Sequence, residues 1–244
     1  VFGNMADMEK IMDIAKKYNL KVLEDATEAL GTYYTEGRYK GKFAGTIGDI
    51  GVLSFNANKI ITTGGGGMVV GDNEELVEKV RFLSSQAKKD TLYFIHDEIG
   101  YNYRMLNLQA ALGTSQIDQL ESFIETKIKN YKIYKEELEK IDGLEILPFR
   151  DGIRANHWFY SLKIDKEKYG IGRDELLKKL VESNIQTRPI WGLIHQQKPY
   201  ISCQNYEMES SIYYYDRVLN LPCSSSLTEK EVYQVIEKIK EFKK

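Results

Sequence analysis

The sequence is poor in the residues that build metal sites and disulfides. Its 244 residues include two cysteines, Cys203 and Cys223, and three histidines, and the cysteines lack the short C-x-x-C spacing. So few sulfur and imidazole ligands argue against a structural zinc site, and we predict that the protein binds no metal. Scarce cysteine is typical of a reducing compartment, so we predict a cytoplasmic location.

Long apolar runs and basic blocks are also missing. No apolar stretch is long enough to span a bilayer, and no signal-peptide pattern opens the sequence. The formal net charge is −2, and positive charge clusters only in 238–244, which has the pattern of a polar helix end. We therefore expect neither a membrane nor a nucleic acid as a partner.

The first half of the chain has a helix and strand pattern typical of α/β proteins. Apolar residues at helical spacing predict a helix that starts at Met8 and stops at Asn19, followed by the strand Leu20–Glu24. A helix joined to a strand by a short connection is half of a parallel α/β unit. Further predicted elements are the strands Ile50–Phe55 and Met68–Val70 and a helix from Asn73 to Ser85, with loops at 32–48 and 88–104.

A change of pattern near Leu120 predicts a domain boundary. Residues 105–141 have a helical pattern, which turns from apolar to amphipathic and highly charged at this point. We therefore divide the chain into 1–120 and 121–244 and interpret the second part as a small α/β domain. Its predicted strands are Leu144–Leu147, His157–Ile164 and Ile185–Thr187, and its predicted helices are Arg173–Ser183, Glu209–Val218 and Thr228–Phe242.

The most informative stretch is Val52–Val70. Between its two apolar strands lie a single lysine, Lys59, and the four glycines Gly64–Gly67. A lysine between buried strands, beside a loop that backbone can approach closely, is a candidate for a desolvated amine nucleophile. The alternative is a glycine-rich hairpin with a solvated lysine at its tip, since most lysines are surface charges.

A candidate carboxylate, Asp25, follows the strand Leu20–Glu24. Ligands of open α/β sheets collect outside the carboxyl ends of strands, although a helix N-cap is the commoner use of such an aspartate. Pyridoxal phosphate needs both groups, because a lysine forms its Schiff base and a carboxylate keeps its pyridine nitrogen protonated. Ser54 and the glycine loop are candidate partners for its phosphate.

Four blocks of the sequence resemble the signature motifs of the DegT/DnrJ-type nucleotide-sugar aminotransferases. They are 24–31 (EDATEALG), 48–67 (GDIGVLSFNANKIITTGGGG), 100–105 (GYNYRM) with 109–113 (QAALG), and 188–191 (RPIW) with His195. The resemblance implies an α/β fold, that of a fold-type I pyridoxal phosphate transferase. In that fold 1–120 is the C-terminal part of the large cofactor-binding domain, with a mixed, mostly parallel sheet, and 121–244 is the small C-terminal domain.

The resemblance also implies roles for individual residues. Lys59 is expected to form the Schiff base with the cofactor and to carry the proton, while Asp25 pairs with the pyridinium nitrogen. Glu28 is expected near the 3-hydroxyl, and Ser54 at the phosphate. Asn102 is expected to reach the phosphate of the neighbouring subunit's cofactor, which requires a homodimer with shared active sites.

A second group matches the segment that lines the sugar-nucleotide entrance in this family: Arg188, Trp191 and His195. Each of the two rings has an alternative, because Trp191 is equally suited to a core and most single histidines are structural. Asn102, with Arg104 beside it, is alternatively a cap and loop anchor. Many relatives have an acidic residue at the position of Gly65. Any role of its carboxylate is therefore absent from this chain.

The function implied by the resemblance is transamination. With glutamate as amino donor, the enzyme would convert a nucleotide-linked 4-keto-6-deoxy sugar to the 4-amino sugar, in bacterial polysaccharide or glycan biosynthesis. The residues around Lys59 most resemble the branch that acts on UDP-linked 2-acetamido sugars, with GDP-perosamine synthases second. Two alternatives are sugar dehydration, against which Lys59 argues because the dehydrating relatives carry histidine there, and a non-catalytic regulatory protein with this fold.

The opening Val1-Phe-Gly-Asn4 lacks an initiator methionine. Family members normally begin with a further segment that supplies a phosphate-binding turn, an aromatic ring for the cofactor and several strands. We therefore expect this chain to be a fragment that is inactive alone, with apolar surface exposed where that segment would pack.

Overall fold

The computed structural model describes residues 1–90 and 92–244, so Thr91, which falls in the predicted loop 88–104, lies outside the described residues. The chain separates into two compact units. The first unit comprises 1–125 and 149–158, and the second comprises 126–148 and 159–244. The first unit therefore includes residues 149–158, which the predicted division into 1–120 and 121–244 assigns to the second part.

Helices and strands are interspersed along the chain, as expected of an α/β protein. The helices are α1 (Met8–Tyr18), α2 (Glu74–Ser84), α3 (Asn107–Ile117), α4 (Leu120–Leu138), α5 (Lys166–Tyr169), α6 (Arg173–Glu182), α7 (Glu209–Tyr215) and α8 (Glu229–Glu241). The strands are β1 (Leu23–Asp25), β2 (Tyr33–Tyr34), β3 (Ile50–Ser54), β4 (Gly67–Val70), β5 (Lys88–Asp90), β6 (Ile95–His96), β7 (Leu144–Ile146), β8 (Ile153–Arg154), β9 (Tyr160–Ile164), β10 (Arg188–Pro189) and β11 (Val218–Leu221). Within 1–90 and 92–244, no helix is both long and apolar enough to cross a bilayer.

The first unit contains a mixed three-stranded sheet in the order β1-β3-β4. Strands β1 and β3 are parallel, with Asp25 opposite Val52, while β3 and β4 form an antiparallel pair in which Ser54 lies opposite Gly67. The parallel pair confirms the predicted α/β unit. Because β1 and β3 run in the same direction, their carboxyl ends, and the turns that follow them, lie at one edge of the sheet.

Local signals in the sequence set the helix ends. The Asp7 side chain caps α1 by accepting from the Lys10 amide at 3.2 Å, and Asn19 ends the helix in the left-handed conformation. Asn73 caps α2, as predicted, and Thr228 forms a capping box with Glu231 at the start of α8. The predicted helix boundaries at these caps are confirmed.

The second unit is an antiparallel sheet in the order β10-β11-β9-β7, with helices packed on it. Two predictions are wrong here. The predicted helix Glu209–Val218 ends at Tyr215, because Val218–Leu221 is a fully buried strand that pairs with β9. The predicted strand Ile185–Thr187 is irregular, and the pairing begins one residue later at Arg188–Pro189, an edge strand where proline is tolerated.

A lysine is buried in the second unit. Lys127 on α4 is 3% exposed, and its amine donates to the Cys223 carbonyl and lies 5.6 Å from the centre of the Tyr160 ring. Burial lowers the pKa of Lys127 in the folded chain below its value in the unfolded chain. Between the two values the unfolded chain binds more protons, so the folded state gains stability as the pH rises.

The lowered pKa predicts how the stability of Lys127→Met differs from that of wild type as the pH changes. The substitution keeps the side-chain length and removes the charge. As the pH rises from neutral to the ordinary lysine pKa, wild type should gain stability relative to the variant, by up to about 1.4 kcal/mol per pH unit. Urea unfolding at several pH values measures the difference. Lys132→Met, at an exposed position of the same helix, is the matched control and should run parallel to wild type. A pH-independent difference for Lys127→Met would contradict the prediction.

Candidate active site

Lys59 lies on the turn that follows β3. Its backbone N–H donates to the Asn56 carbonyl at 3.0 Å, and Ile60 and Ile61, the next two residues, are buried. Burial of the two isoleucines anchors the turn. Lys59, which immediately precedes them, is half-buried. Burial lowers the pKa of the Lys59 amine, and the nearby carboxylates of Glu28 and Asp25 partly oppose that effect.

The Lys59 amine lies over an indole ring. Its Nζ is 4.0 Å from the centre of the Trp158 ring, which is within the range of a cation–π interaction. Trp158 is 3% exposed, and its Nε1–H donates to the Asn58 carbonyl at 2.9 Å. Trp158 is therefore hydrogen-bonded to Asn58, the residue immediately before Lys59.

Asp25 is the last residue of β1, on the strand beside the one that leads to Lys59. Its Oδ1 accepts from the Thr27 hydroxyl at 2.6 Å and from the Thr27 amide at 3.1 Å. These bonds, together with the charge of Lys59, hold the pKa of the Asp25 carboxyl below its ordinary value. Residues 26–31 form turns, so Asp25 is not a helix N-cap.

Glu28 lies on the turn that follows Asp25, and Ser54 lies at the end of the strand that leads to Lys59. The Glu28 carboxylate accepts from the Phe2 amide at 2.5 Å, and its charge acts on Lys59. Ser54 ends β3, and its Oγ accepts from the Asn56 amide at 3.3 Å. The structure therefore brings Lys59, Asp25 and Glu28 into electrostatic contact at the carboxyl edge of the sheet, with Ser54 on the strand end that leads to Lys59.

Two of the four glycines, Gly66 and Gly67, are required by the backbone geometry of the loop. Gly66 has φ +97°, which only glycine adopts without strain, and its carbonyl accepts from the Phe55 amide at 3.0 Å. A Cβ at Gly67 would lie 2.5 Å from the Leu53 carbonyl oxygen. The Gly65 carbonyl accepts from the Gln109 side chain of α3 at 3.3 Å. The loop thus closes β3 onto β4 and joins both to α3.

The chain matches the DegT/DnrJ/EryC1/StrS aminotransferase family over residues 1–240. It belongs to this family. It is 37% identical over 241 residues to EpsN of Bacillus subtilis (strain 168), an alignment that covers 97% of this chain and 60% of EpsN. It is 35% identical over 243 residues to the GDP-perosamine synthase of Escherichia coli O157:H7, covering 99% of this chain and 64% of that enzyme.

A solved structure shows the same fold. The aminotransferase TlmJ from Streptoalloteichus hindustanus superposes with a TM-score of 0.89 at 24% identity, over 99% of this chain and 63% of that one. The fold is therefore the α/β fold of the fold-type I aminotransferases. The chain spans between 60% and 64% of the length of the two relatives named above.

Members of the DegT/DnrJ/EryC1/StrS family depend on pyridoxal phosphate, and the residues found here fit that cofactor. Its aldehyde requires an amine that loses its proton readily, and the pKa of Lys59 is lowered by burial. Its pyridine nitrogen requires a carboxylate that stays ionised, and Asp25 is held in that form by Thr27. The match rests on the chemistry of these two groups and on their positions at adjacent strand ends.

Asn102 and Arg104 lie on the segment between β6 and α3. The Asn102 backbone pairs with Ser85, and the neighbouring Tyr101 and Tyr103 rings stack with centres 5.1 Å apart. Asn102 and Arg104 are both exposed, and α3 begins after Leu106. Neither residue is therefore the cap of that helix, so the capping alternative is wrong.

Arg188, Trp191 and His195 belong to the second unit, so they are described separately from Lys59. Arg188 is exposed and donates from Nη1 to the Thr187 carbonyl at 2.9 Å. Trp191 is 56% exposed, so it is not a core residue. The Nδ1 atom of His195 is buried and has no hydrogen-bond partner within 1–90 and 92–244, which disfavours the interpretation as a satisfied structural histidine.

Sequence reasoning missed Trp158 and Asn156. Asn156 is 0% exposed, and its side-chain amide donates to the Glu28 and Leu30 carbonyls, both at 2.9 Å. Its Oδ1 accepts from the Trp158 amide at 3.0 Å. Asn156 precedes the predicted strand His157–Ile164, and Trp158 lies within it, whereas the observed strand begins only at Tyr160. No local pattern indicates that the two residues return to the Lys59 turn.

Proposed function

We propose that the complete protein containing this chain transfers an amino group from glutamate to C4 of a nucleotide-linked 4-keto-6-deoxy sugar, with pyridoxal phosphate as its cofactor. The supporting observation is the partly desolvated amine of Lys59 beside the ionised carboxylate of Asp25 at neighbouring strand ends. Family membership supports the reaction class. We propose bacterial polysaccharide or glycan biosynthesis as the setting, in the cytoplasm.

Each residue of the site has a distinct task in this proposal. When bound, pyridoxal phosphate supplies an electron-withdrawing ring that can accept and pass on an amino group. Lys59 holds the cofactor through Nζ and moves the proton that amino transfer requires. Asp25 stays ionised and keeps a proton on the ring nitrogen. Glu28 is proposed to lie at the ring hydroxyl, and the Ser54 hydroxyl to bind the phosphate.

Two sugar nucleotides are candidates. The residues around Lys59 resemble the branch that acts on UDP-linked 2-acetamido sugars, which supports a UDP-linked sugar as the first candidate. The 35% identity to a GDP-perosamine synthase supports a GDP-linked sugar as the second. Arg188, Trp191 and His195 are proposed to contact the sugar nucleotide. Arg188 and Trp191 are exposed, and the buried Nδ1 of His195 has no hydrogen-bond partner among the residues that the structure describes. Asn102, which is exposed, is proposed to serve the partner's site in a homodimer.

Trapping the cofactor tests the proposal. The complete protein, saturated with pyridoxal phosphate, is reduced with borohydride, digested and examined by mass spectrometry. A pyridoxyl group on Lys59, absent from Lys59→Ala, is the expected result. Absence of the adduct at saturating cofactor would contradict the proposal and favour a non-catalytic protein with this fold. With the adduct shown, assays with UDP-linked and GDP-linked keto sugars decide between the two nucleotides.

A further inference from the structure

Residues 149–158, here called the return segment, connect the Lys59 turn to the turn after β1. Strand β8 in this segment pairs with β2, and the Arg154 side chain donates to the Gly31 carbonyl at 2.9 Å. Asn156 then holds the Glu28 and Leu30 carbonyls, and its backbone N–H donates to the Thr32 hydroxyl at 3.0 Å. The return segment is therefore fixed to the connection that carries Asp25 and Glu28.

The same segment ends at the lysine. The Asn156 side chain accepts from the Trp158 amide, and the Trp158 Nε1–H donates to the Asn58 carbonyl. The side chains of Asn156 and Trp158, which are two residues apart, thus hold the backbone on both sides of the site. The indole face that results lies 4.0 Å from Nζ of Lys59.

We propose that Trp158 is a positioning residue for Lys59, whose ring face holds the ammonium form of the amine in place before the cofactor binds. The inference rests on the proposed function of Lys59 as the cofactor-binding lysine. A buried aromatic face attracts an ammonium ion and does not attract a neutral amine to the same extent. The ring therefore favours the ammonium form of Lys59 and the rotamer that places Nζ over the ring face.

Other charges act on this amine from the neighbouring connection. The Glu28 and Asp25 carboxylates both favour the ammonium, whereas burial favours the neutral amine. Replacing the ring with an aliphatic side chain removes the attraction of the ring face without adding a charge. The balance should then move toward the neutral amine, which is the reactive form.

The test measures acylation of Lys59 by acetic anhydride as a function of pH, in the complete protein without cofactor, by mass spectrometry of the Lys59 peptide. The exposed Lys230 is the internal reference. In Trp158→Leu and Trp158→Met, acylation near neutral pH should be about three- to tenfold faster than in wild type, with an unchanged plateau at high pH. Trp158→Phe, which keeps a ring face, should stay within about twofold of wild type.

The shape of the profile separates positioning from simple exposure. An increase at every pH, including the plateau, would show that the ring only shields the amine, and the proposal would be overturned. Equal profiles for wild type and the two aliphatic variants would overturn it too, as would a Phe variant that behaves like Leu. Either aliphatic variant suffices if the other does not fold. Because no cofactor is present, these outcomes are independent of the borohydride result.

Discussion

Replacing Lys59 by arginine in the complete protein is expected to lower kcat for the proposed amino transfer by at least about a thousandfold, because arginine cannot form the covalent bond or carry the proton. Arginine keeps the positive charge that faces Trp158, Glu28 and Asp25, so the fold and the local electrostatics should be retained. The measurement is 2-oxoglutarate formation from glutamate in the presence of UDP- or GDP-linked 4-keto-6-deoxy sugars.

A matched variant makes this result specific. Lys42→Arg changes an exposed lysine of the same unit and should keep kcat within about twofold. If Lys59→Arg retained more than about a tenth of the wild-type rate, Lys59 would not be the proton carrier, and the assignment of the site would have to move. Circular dichroism spectra of both variants confirm that the comparison is between folded proteins.

Asn156→Ala should lower the free energy of unfolding by about 3–5 kcal/mol. The substitution leaves the Glu28 and Leu30 carbonyls and the Trp158 amide without their side-chain partner. Buried polar groups that lose a partner cost about 1–3 kcal/mol each, and these losses are only partly additive. Urea unfolding followed by tryptophan fluorescence is a direct measurement, because Trp158 contacts Asn156.

The control for this variant is Asn205→Ala at an exposed position, where a change within about 0.5 kcal/mol is expected. A loss below about 1 kcal/mol for Asn156→Ala would mean that water satisfies the freed groups. The return segment would then be held mainly by the β2–β8 pairing, and Asn156 would not be needed to keep Trp158 at the Lys59 turn.

Local signals in the sequence were enough for the elements that have them. The caps at Asn73 and Thr228 and the left-handed Asn19 are written within three or four residues of the helix ends they define. The predicted helix Glu209–Val218 ran into the strand Val218–Leu221 because the burial of that strand depends on pairing with β9, more than 50 residues earlier. Local helix propensity carries no information about that pairing, and the pairing with the distant strand outweighs the propensity.

The candidate site divides in the same way. Lys59 and Asp25 were predicted because strand ends and a lysine beside glycines are local patterns, and their proximity follows from the parallel pairing of β1 and β3. Thr27, which holds Asp25 ionised, is two residues away and could have been found from its hydroxyl spacing. Trp158 and Asn156 reach the site only through the return of the chain after the second unit begins, and no short pattern encodes that return.

The return segment also sets an order for biosynthesis. Asn58 and Trp158 are 100 residues apart in the chain. A ribosome adds about 5–20 residues per second, so roughly 5 to 20 seconds separate the synthesis of the lysine turn from that of the ring that covers it. During that interval the nascent chain carries the Lys59 amine without its indole neighbour, and the first unit cannot reach its final form until residues 126–148 of the second unit have been made.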